Sequence, residues 1–209
     1  MTRGGVPRFI TLEGGEGAGK STLARAIAAH LTARSIDHTL TREPGGSPGA
    51  DAIRALLVRG DGDRWSPLTE TLLFAAARND HLERTIRPAL ARGDVVICDR
   101  YVDSTRAYQI SGHGVPEAAL DALNALTDAP SPDLTFLLDI DPRIGLARSR
   151  GGALGEDRYE HLDLAFHERV RAAFLAFAAA APDRFVVLDA TAPTEAIAQA
   201  AIARIGAAA

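Results

Sequence analysis

Residues 14–21 read GGEGAGKS, a glycine-rich run that ends in a lysine and a serine. The run fits the pattern G-x-x-x-x-G-K-[ST], in which backbone N–H groups turn inward around phosphate oxygens. In this pattern the lysine ammonium reaches the β- and γ-phosphates, and the serine hydroxyl is a ligand for Mg²⁺. We therefore predict a phosphate-binding loop (P-loop) for a nucleoside triphosphate. The predicted contacts are Gly14, Gly15, Glu16, Gly17, Ala18, Gly19, Lys20, Ser21 and Thr22.

The flanking sequence supports this prediction. An apolar segment at 8–13 precedes the run and a helical pattern at 19–34 follows it, which is the context that the motif requires. A chance glycine-rich turn is the alternative. GTPases also need an N-K-x-D motif, and neither Asn79 nor Asn124 lies in one. Many ATPase motors carry an Asp-Glu dipeptide after a strand, and the sequence contains none. A kinase is therefore favoured over a switch or a motor.

A second set of polar residues begins where another apolar run ends. Asp99 and Arg100 directly follow DVVIC at 94–98, the position at which active-site groups of a parallel sheet lie. Arginine can hold a phosphate through two parallel hydrogen bonds. Asp99 can accept bonds from the P-loop or from water bound to Mg²⁺, and a buried ion pair with Arg100 is the alternative. Hydroxyl and amide groups suited to a nucleoside follow at Ser104, Thr105, Tyr108 and Gln109.

Phe74 and Arg78 are four residues apart in a helical pattern and so share one face. A ring there can stack on a base, and the guanidinium can bond to the carbonyl edge of that base. The alternative is a core phenylalanine beside a solvated arginine.

Residues 41–46 read TREPGG, and the proline and glycines predict a tight turn after a short strand. Such a turn presents Arg42 and Glu43 toward the carboxyl edge of the sheet. Taken alone, the segment favours a simple surface turn.

Residues 148–160 combine three arginines with a glycine-rich stretch at 151–155. Basic residues on a hinged loop suit a lid that closes over transferring phosphates, where negative charge builds up. The arginines are Arg148, Arg150 and Arg158. A solvated run of charges is the alternative.

These residues need a scaffold, and the hydrophobic pattern predicts one. Strand-length apolar runs occur at 8–13, 38–41, 94–98, 134–140 and 184–188. Helical patterns separate them at 19–34, 66–92, 116–127, 142–150, 160–180 and 194–205. Strands that are apolar throughout are buried on both faces. We therefore predict an α/β fold of the P-loop NTPase type, a doubly wound parallel sheet of about five strands with flanking helices and a small lid.

Bulk composition narrows the class of protein further. The chain has 209 residues and a formal net charge of −4, which gives no general attraction to nucleic acid or to an anionic membrane. Cys98 is the single cysteine, so an intrachain disulfide is impossible and a reducing, cytoplasmic setting is expected. No apolar run is long enough to cross a bilayer. We predict one domain spanning residues 1–209, with no nucleic-acid or membrane partner.

In their order and spacing, these segments resemble the thymidylate kinases (dTMP kinases) over residues 9–188. The matching text is FITLEGGEGAGKSTLA, TREPGG, LLFAAARNDHL, VVICDRYVDSTRAYQ and DRYE. Related nucleoside monophosphate kinases carry different sequence between the P-loop and the lid. The resemblance implies an enzyme that transfers the γ-phosphate of ATP, with Mg²⁺, to thymidine 5′-monophosphate (dTMP) in dTTP biosynthesis. It also implies a homodimer.

The resemblance assigns the nucleoside of the acceptor to four side chains. Phe74 would stack on thymine, Arg78 would read a thymine carbonyl and Thr105 would approach the base. Tyr108 would pack under the deoxyribose and disfavour a 2′-hydroxyl.

The resemblance assigns the phosphates to other residues. Arg42 and Arg100 would hold the acceptor phosphate, and Glu16 would lie near the 3′-hydroxyl and the donor phosphates. The P-loop contains no arginine, so the chain resembles the bacterial type that supplies arginine from the lid. The expected catalytic residues are Lys20, Arg100, Glu16, Arg150 and Arg158, and Ser21 and Asp99 are the expected metal ligands. Whether Arg148 or Arg150 reaches the transferring phosphate stays open.

Other readings keep the P-loop but change the reaction. A kinase for a deoxynucleoside or a different monophosphate shares the P-loop and the Asp-Arg pair, but does not predict TREPGG or the Phe74/Arg78 helix. A nucleotide-dependent switch predicts tight binding with slow turnover. Discrimination between thymidylate and deoxyuridylate turns on one methyl group, and the sequence leaves it open together with the choice of donor.

Overall fold

The computed structural model describes residues 6–59, 64–149 and 158–207. These residues contain a parallel sheet of five strands in the order β2-β3-β1-β4-β5. The strands are β1 (Phe9–Gly14), β2 (His38–Arg42), β3 (Val95–Asp99), β4 (Leu134–Asp139) and β5 (Phe185–Asp189). The predicted fold class is confirmed, and each predicted strand lies within one or two residues of an observed one.

Helices lie between the strands and on both faces of the sheet. They are α1 (Lys20–Ala33), α2 (Pro48–Val58), α3 (Pro67–His81), α4 (Arg87–Arg92), α5 (Val102–Thr105), α6 (Glu117–Leu126), α7 (Pro142–Ser149), α8 (Leu164–Ala180) and α9 (Thr194–Ala207). Two π-helical segments, Leu82–Ile86 and Arg106–Gly112, continue α3 and α5. None of the described helices is long and apolar enough to cross a membrane.

The predicted helix at 66–92 is a continuous run of α3, a π-helical turn and α4. Its predicted ends are confirmed: the Ser66 hydroxyl accepts from the N–H of Thr69 at 3.3 Å, and Gly93 ends the helix with φ 102°. The predicted helix at 160–180 starts later, because Asp163 accepts from the N–H of Phe166 at 2.7 Å and caps α8 there.

Helix α2 was missed by the sequence prediction, although it has a start signal of the same kind as α3. Ser47 caps it and Pro48 occupies its first turn, as Ser66 and Pro67 do for α3. The helix begins two residues after the TREPGG turn.

The core explains why the strands are apolar on both faces. On one face, Ile10, Ile97 and Phe136 pack with Ile27 of α1 and Ile205 of α9. Each such side chain contributes about 1.5–3 kcal/mol by burial. Two further apolar clusters cover the opposite face, one of them built around Phe174 of α8 and Tyr108, the other around Phe9 and Tyr101.

The parallel register brings three carboxyl ends to one edge of the sheet. Leu12 and Arg42 both lie beside Asp99, and Gly14 lies beside Leu138. The P-loop, the TREPGG turn and the Asp99-Arg100 step therefore meet at this edge, as expected for a doubly wound sheet.

Candidate active site

The P-loop joins β1 to α1 and is packed against α7 without space for side chains at two glycines. Gly17 has φ +64°, and a Cβ added there would lie 2.0 Å from the carbonyl oxygen of Gly145. A Cβ added at Gly145 would lie 2.3 Å from the carbonyl oxygen of Glu16. Glycine at both positions therefore sets how closely α7 approaches the loop.

Lys20 is buried at the first position of α1, and its ammonium is folded onto the loop. Nζ donates to the carbonyl oxygens of Gly15 at 2.7 Å and of Gly14 at 3.2 Å. Burial, followed by the positive charge of Arg100, lowers the pKa of Lys20 to about 8 despite nearby carboxylates. A compact, partly desolvated cation is thus held where the P-loop pattern places the β- and γ-phosphates.

Ser21 and Asp99 come together across the P-loop. The Ser21 hydroxyl donates to Oδ2 of Asp99 at 2.5 Å, since β1 and β3 are neighbouring strands. A hydroxyl and a carboxylate are hard oxygen donors of the kind that Mg²⁺ accepts directly or through water. This donor pair fits the predicted magnesium position.

Arg100 lies at the centre of the site and is largely buried. Its backbone has φ +69°, an uncommon conformation for a residue with a side chain. Nη2 donates to Oε1 of Glu16 at 2.8 Å and to the Tyr108 hydroxyl at 3.3 Å, while Nη1 donates to the carbonyl of Gly14 at 3.0 Å and the hydroxyl of Ser104 at 3.1 Å. The guanidinium is therefore fixed by the P-loop and by the helical segments that follow Arg100 in the chain.

Glu16 is the partner of Arg100 in the P-loop. Burial raises the pKa of its carboxyl, but the charges of Arg100 and Lys20 and the hydroxyl of Tyr108 outweigh this and bring the pKa to about 2. The Tyr108 hydroxyl donates to Oε1 at 2.8 Å. Glu16 is therefore ionised throughout the neutral range.

A cavity of about 110 Å³ adjoins this cluster. Its lining combines aromatic side chains with polar groups, as small-molecule sites do. The lining residues are Glu16, Glu43, Pro44, Arg54, Val58, Phe74, Arg78, Arg100, Tyr101, Ser104, Thr105, Tyr108, Gln109, Tyr159 and Glu160. Every predicted substrate-binding residue except Arg42 and Asp99 lies in this lining.

Arg78 is held rigidly in the wall of this cavity. Nε donates to Oε2 of Glu43 at 2.9 Å, and Nη2 donates to the Thr105 hydroxyl at 2.7 Å. The remaining terminal nitrogen, Nη1, is buried and has no hydrogen-bond partner among the described residues. A buried N–H without an acceptor is costly, so this nitrogen is suited to bind a carbonyl oxygen of a ligand.

Glu43 is fixed from the other side. His81 contacts Oε1 of Glu43 through Nδ1 at 3.1 Å, and its Nε2 lies 2.7 Å from the Thr41 hydroxyl. The TREPGG turn is thus tied to α3 through a buried polar network, and Glu43 supports Arg78 instead of facing solvent.

A second, larger cleft of about 380 Å³ lies over the P-loop. Its lining residues are Glu16, Gly17, Ala18, Gly19, Lys20, Ser21, Thr22, Arg42, Glu43, Arg54, Asp99, Arg100 and Arg148. Glu16, Glu43, Arg54 and Arg100 line both spaces. The cleft and the cavity therefore meet at Arg100, where a group held in one can approach a group held in the other.

The predicted lid arginines have different surroundings. Arg148 is exposed and lines the P-loop cleft, and its Nη1 donates to the carbonyl of Ala190 at 2.9 Å. Arg150 and the glycine-rich stretch lie outside the described residues. Arg158 is buried, and its Nη1 donates to Oε1 of Glu70 at 2.5 Å and to the carbonyl of Leu57 at 3.0 Å. Its predicted catalytic role stays a prediction.

Sequence reasoning missed Arg54, Tyr159 and Glu70. Arg54 lies on α2 and donates to the carbonyl of Pro44 at 2.8 Å, beside both spaces. The Ser47-Pro48 start signal would have identified its helix. Tyr159 lines the cavity 6.4 Å from the Phe74 ring, and its hydroxyl donates to Glu70. The sequence gives no local signal for that contact.

Comparisons with known proteins identify the family of this chain. The family model described as thymidylate kinase matches residues 12–201. The thymidylate kinase of Dinoroseobacter shibae is 53% identical over 98% of both chains, and that of Caulobacter vibrioides is 55% identical over 90% of this chain and 91% of the relative. The crystal structure of thymidylate kinase from Ehrlichia chaffeensis superposes with a TM-score of 0.75 at 31% identity, covering 94% of this chain and 97% of that chain. The chain belongs to the thymidylate kinase family.

Proposed function

We propose that this enzyme transfers the γ-phosphate of ATP to dTMP and so forms thymidine 5′-diphosphate for dTTP synthesis. One observation supports this most directly. The P-loop cleft meets a second cavity at Arg100 and Glu16, and the aromatic and polar lining of that cavity suits a nucleoside. Donor and acceptor phosphates held in these two spaces would face each other, as an in-line transfer requires.

The donor is proposed to bind along residues 14–22. Backbone N–H groups and the start of α1 attract its phosphates, and Lys20 contacts the β- and γ-oxygens. Ser21 and Asp99 would hold Mg²⁺, which neutralises charge on those phosphates. Arg42 and Arg148 line the same cleft and add positive charge.

The acceptor base is proposed to lie between Phe74 and the wall that carries Arg78 and Thr105. The Nη1 of Arg78 supplies a donor for a thymine carbonyl, and Phe74 supplies a face for stacking. Tyr108 would lie under the deoxyribose, since its hydroxyl is held by Glu16 and Arg100.

The acceptor phosphate is already ionised at neutral pH, so the transfer needs no strong general base. Catalysis then depends on positioning and on neutralising charge in the transition state. Among the described residues, Arg54 and Arg100 are the two arginines that line both spaces, and four hydrogen bonds fix the guanidinium of Arg100, so Arg100 is assigned to the acceptor phosphate. Lys20, Arg150 and Arg158 complete the proposed cationic set.

Release of ADP under ATP·Mg²⁺ tests the proposal against a panel of thymidylate, deoxyuridylate, uridylate, cytidylate, adenylate, guanylate and thymidine. Release driven mainly by thymidylate is expected. Arg100→Ala should lower kcat by about 10²-fold or more. Preference for another acceptor would reject the substrate, and release without any acceptor would reject a kinase.

The proposal extends to a cytoplasmic homodimer. Large apolar side chains are exposed on helices that pack side by side, including Leu56 on α2, Leu68 and Leu72 on α3, and Leu126 on α6. Exposed apolar side chains on neighbouring helices of this kind favour an interface. Sedimentation analysis should give twice the mass of the 209-residue chain. The Leu72→Glu variant should give the mass of a single chain. The single free thiol, Cys98, is consistent with a reducing compartment.

A further inference from the structure

Glu13 is the fifth residue of β1 and directly precedes the P-loop, yet it is not part of the lining of the nucleotide cleft. The side chain is fully buried, and Glu13 is not among the described residues that line either space. Oε1 accepts from the backbone N–H of Tyr101 at 2.9 Å, and Oε2 accepts from the hydroxyl of Ser104 at 2.5 Å. Burial, followed by the charge of Asp103, raises the pKa of the Glu13 carboxyl to about 8 despite these two hydrogen bonds.

Ser104 connects Arg100 to Glu13 through two hydrogen bonds. A guanidinium has only donors, so the Ser104 oxygen must accept from Nη1 of Arg100, 3.1 Å away. Oγ of Ser104 is also hydrogen-bonded to Oε2 of Glu13 at 2.5 Å. The three side chains form a hydrogen-bonded chain from Arg100 through Ser104 to Glu13.

Glu13 also holds the backbone beside Arg100. Arg100 has φ +69°, an unfavourable conformation that persists only where the surrounding structure imposes it. Tyr101 supplies the next N–H along the chain, and Glu13 binds that N–H. The Glu13 carboxyl thus constrains Arg100 at the peptide bond that follows it and at the end of its side chain.

We propose that Glu13 is a positioning residue that acts through Arg100, setting the place of its guanidinium at the junction of the two spaces. This inference rests on the role proposed above for Arg100. It predicts that a defect at position 13 appears in the handling of the acceptor phosphate and disappears when Arg100 is absent.

A double-mutant cycle tests this on the whole chain. Glu13→Ala is expected to lower kcat/KM for dTMP by about 10- to 100-fold, the scale of misplacing a catalytic group, with the KM for ATP changed much less. Glu13→Ala combined with Arg100→Ala should be no slower than Arg100→Ala alone. A residue needed only for folding would give losses that multiply.

Thr11→Val is the matched control. Thr11 lies two residues earlier on β1, is also fully buried, and bonds to the Thr135 hydroxyl at 2.8 Å. The Thr11→Val substitution removes a buried hydrogen bond from the same strand without touching Arg100. Its effect on kcat/KM should therefore multiply with that of Arg100→Ala.

If Glu13→Ala does not fold, Glu13→Asp takes its place in the cycle, because it keeps a carboxyl but shortens its reach to Tyr101 and Ser104. Multiplicative losses at position 13, or normal dTMP kinetics in the folded variant, would overturn the inference. Normal turnover of Arg100→Ala would instead reject the role proposed for Arg100, so the two failures are distinguishable.

Discussion

Arg78 and Glu43 form an ion pair, with Nε 2.9 Å from Oε2, in which the side chains are 2% and 5% exposed. Removing one member of a buried pair costs about 3–5 kcal/mol, because the other charge stays unpaired. Arg78 also lines the cavity, and its buried Nη1 has no hydrogen-bond partner among the described residues. Glu43 therefore connects stability to base recognition.

Glu43→Gln is expected to raise the KM for dTMP by about 10-fold, equivalent to about 1.4 kcal/mol of lost binding, while the KM for ATP changes little. The melting temperature should fall as well. Steady-state kinetics with each substrate varied in turn and thermal unfolding measure the two effects. Glu83→Gln is the control, since Glu83 is exposed and bonds only to Asn79 among the described residues. An unchanged KM for dTMP would contradict the role of Glu43.

The sequence predicted the parts of the molecule that depend on neighbouring residues. The five strands, the P-loop and the capped start of α3 each follow from a local pattern of apolar, glycine or capping residues. Long-range pairs carry no such pattern. Glu43 meets Arg78 across 35 positions, and Arg158 meets Glu70 across 88. The sequence therefore identified Arg158 as a positive charge in the lid segment. It could not show that Arg158 pairs with Glu70 on α3.

Glu16 predicts an acid-sensitive contribution to stability. Its pKa is lowered from 4.5 to about 2 in the folded chain, chiefly by Arg100 against the opposing effect of burial. A lowered carboxyl pKa stabilises the fold above pH 4.5, and this is lost as pH falls toward 2. The difference amounts to about 3 kcal/mol. Denaturant unfolding at pH 6, 4 and 3 should show a smaller acid-induced loss for Glu16→Gln than for the parent chain. Equal acid-induced losses of stability in Glu16→Gln and the parent chain would contradict a lowered pKa of Glu16.

Lys20 predicts a pH dependence of donor binding. Its pKa is about 8, lowered first by burial and then by Arg100, so part of the population is neutral at pH 8.5. Phosphates favour the ammonium form, so ATP binding at pH 8.5 should take up a proton, and affinity should fall as pH rises through about 8. Calorimetry in buffers of different ionisation enthalpy measures the uptake. Lys20→Arg should abolish it, because arginine stays charged. Binding without proton uptake at pH 8.5 would reject the lowered pKa.

At position 145, helix propensity favours alanine, whereas packing against the P-loop favours glycine. Alanine in place of glycine inside a helix such as α7 normally adds about 1 kcal/mol of stability. Here the new Cβ would lie 2.3 Å from the carbonyl oxygen of Glu16 and 3.3 Å from Cγ2 of Ile140. The backbone of the P-loop cannot yield as a flexible side chain would, so Gly145→Ala should destabilise the chain and weaken ATP binding.

Gly206→Ala is the matched control, because it lies inside α9 and a Cβ there meets no atom within 4 Å. It should leave ATP affinity unchanged and raise the melting temperature slightly. Thermal unfolding and ATP titration of the two variants separate propensity from packing. If Gly145→Ala behaved like Gly206→Ala, α7 would be free to move away from the loop. The close approach of α7 would then have no role in holding the carbonyl of Glu16 in place.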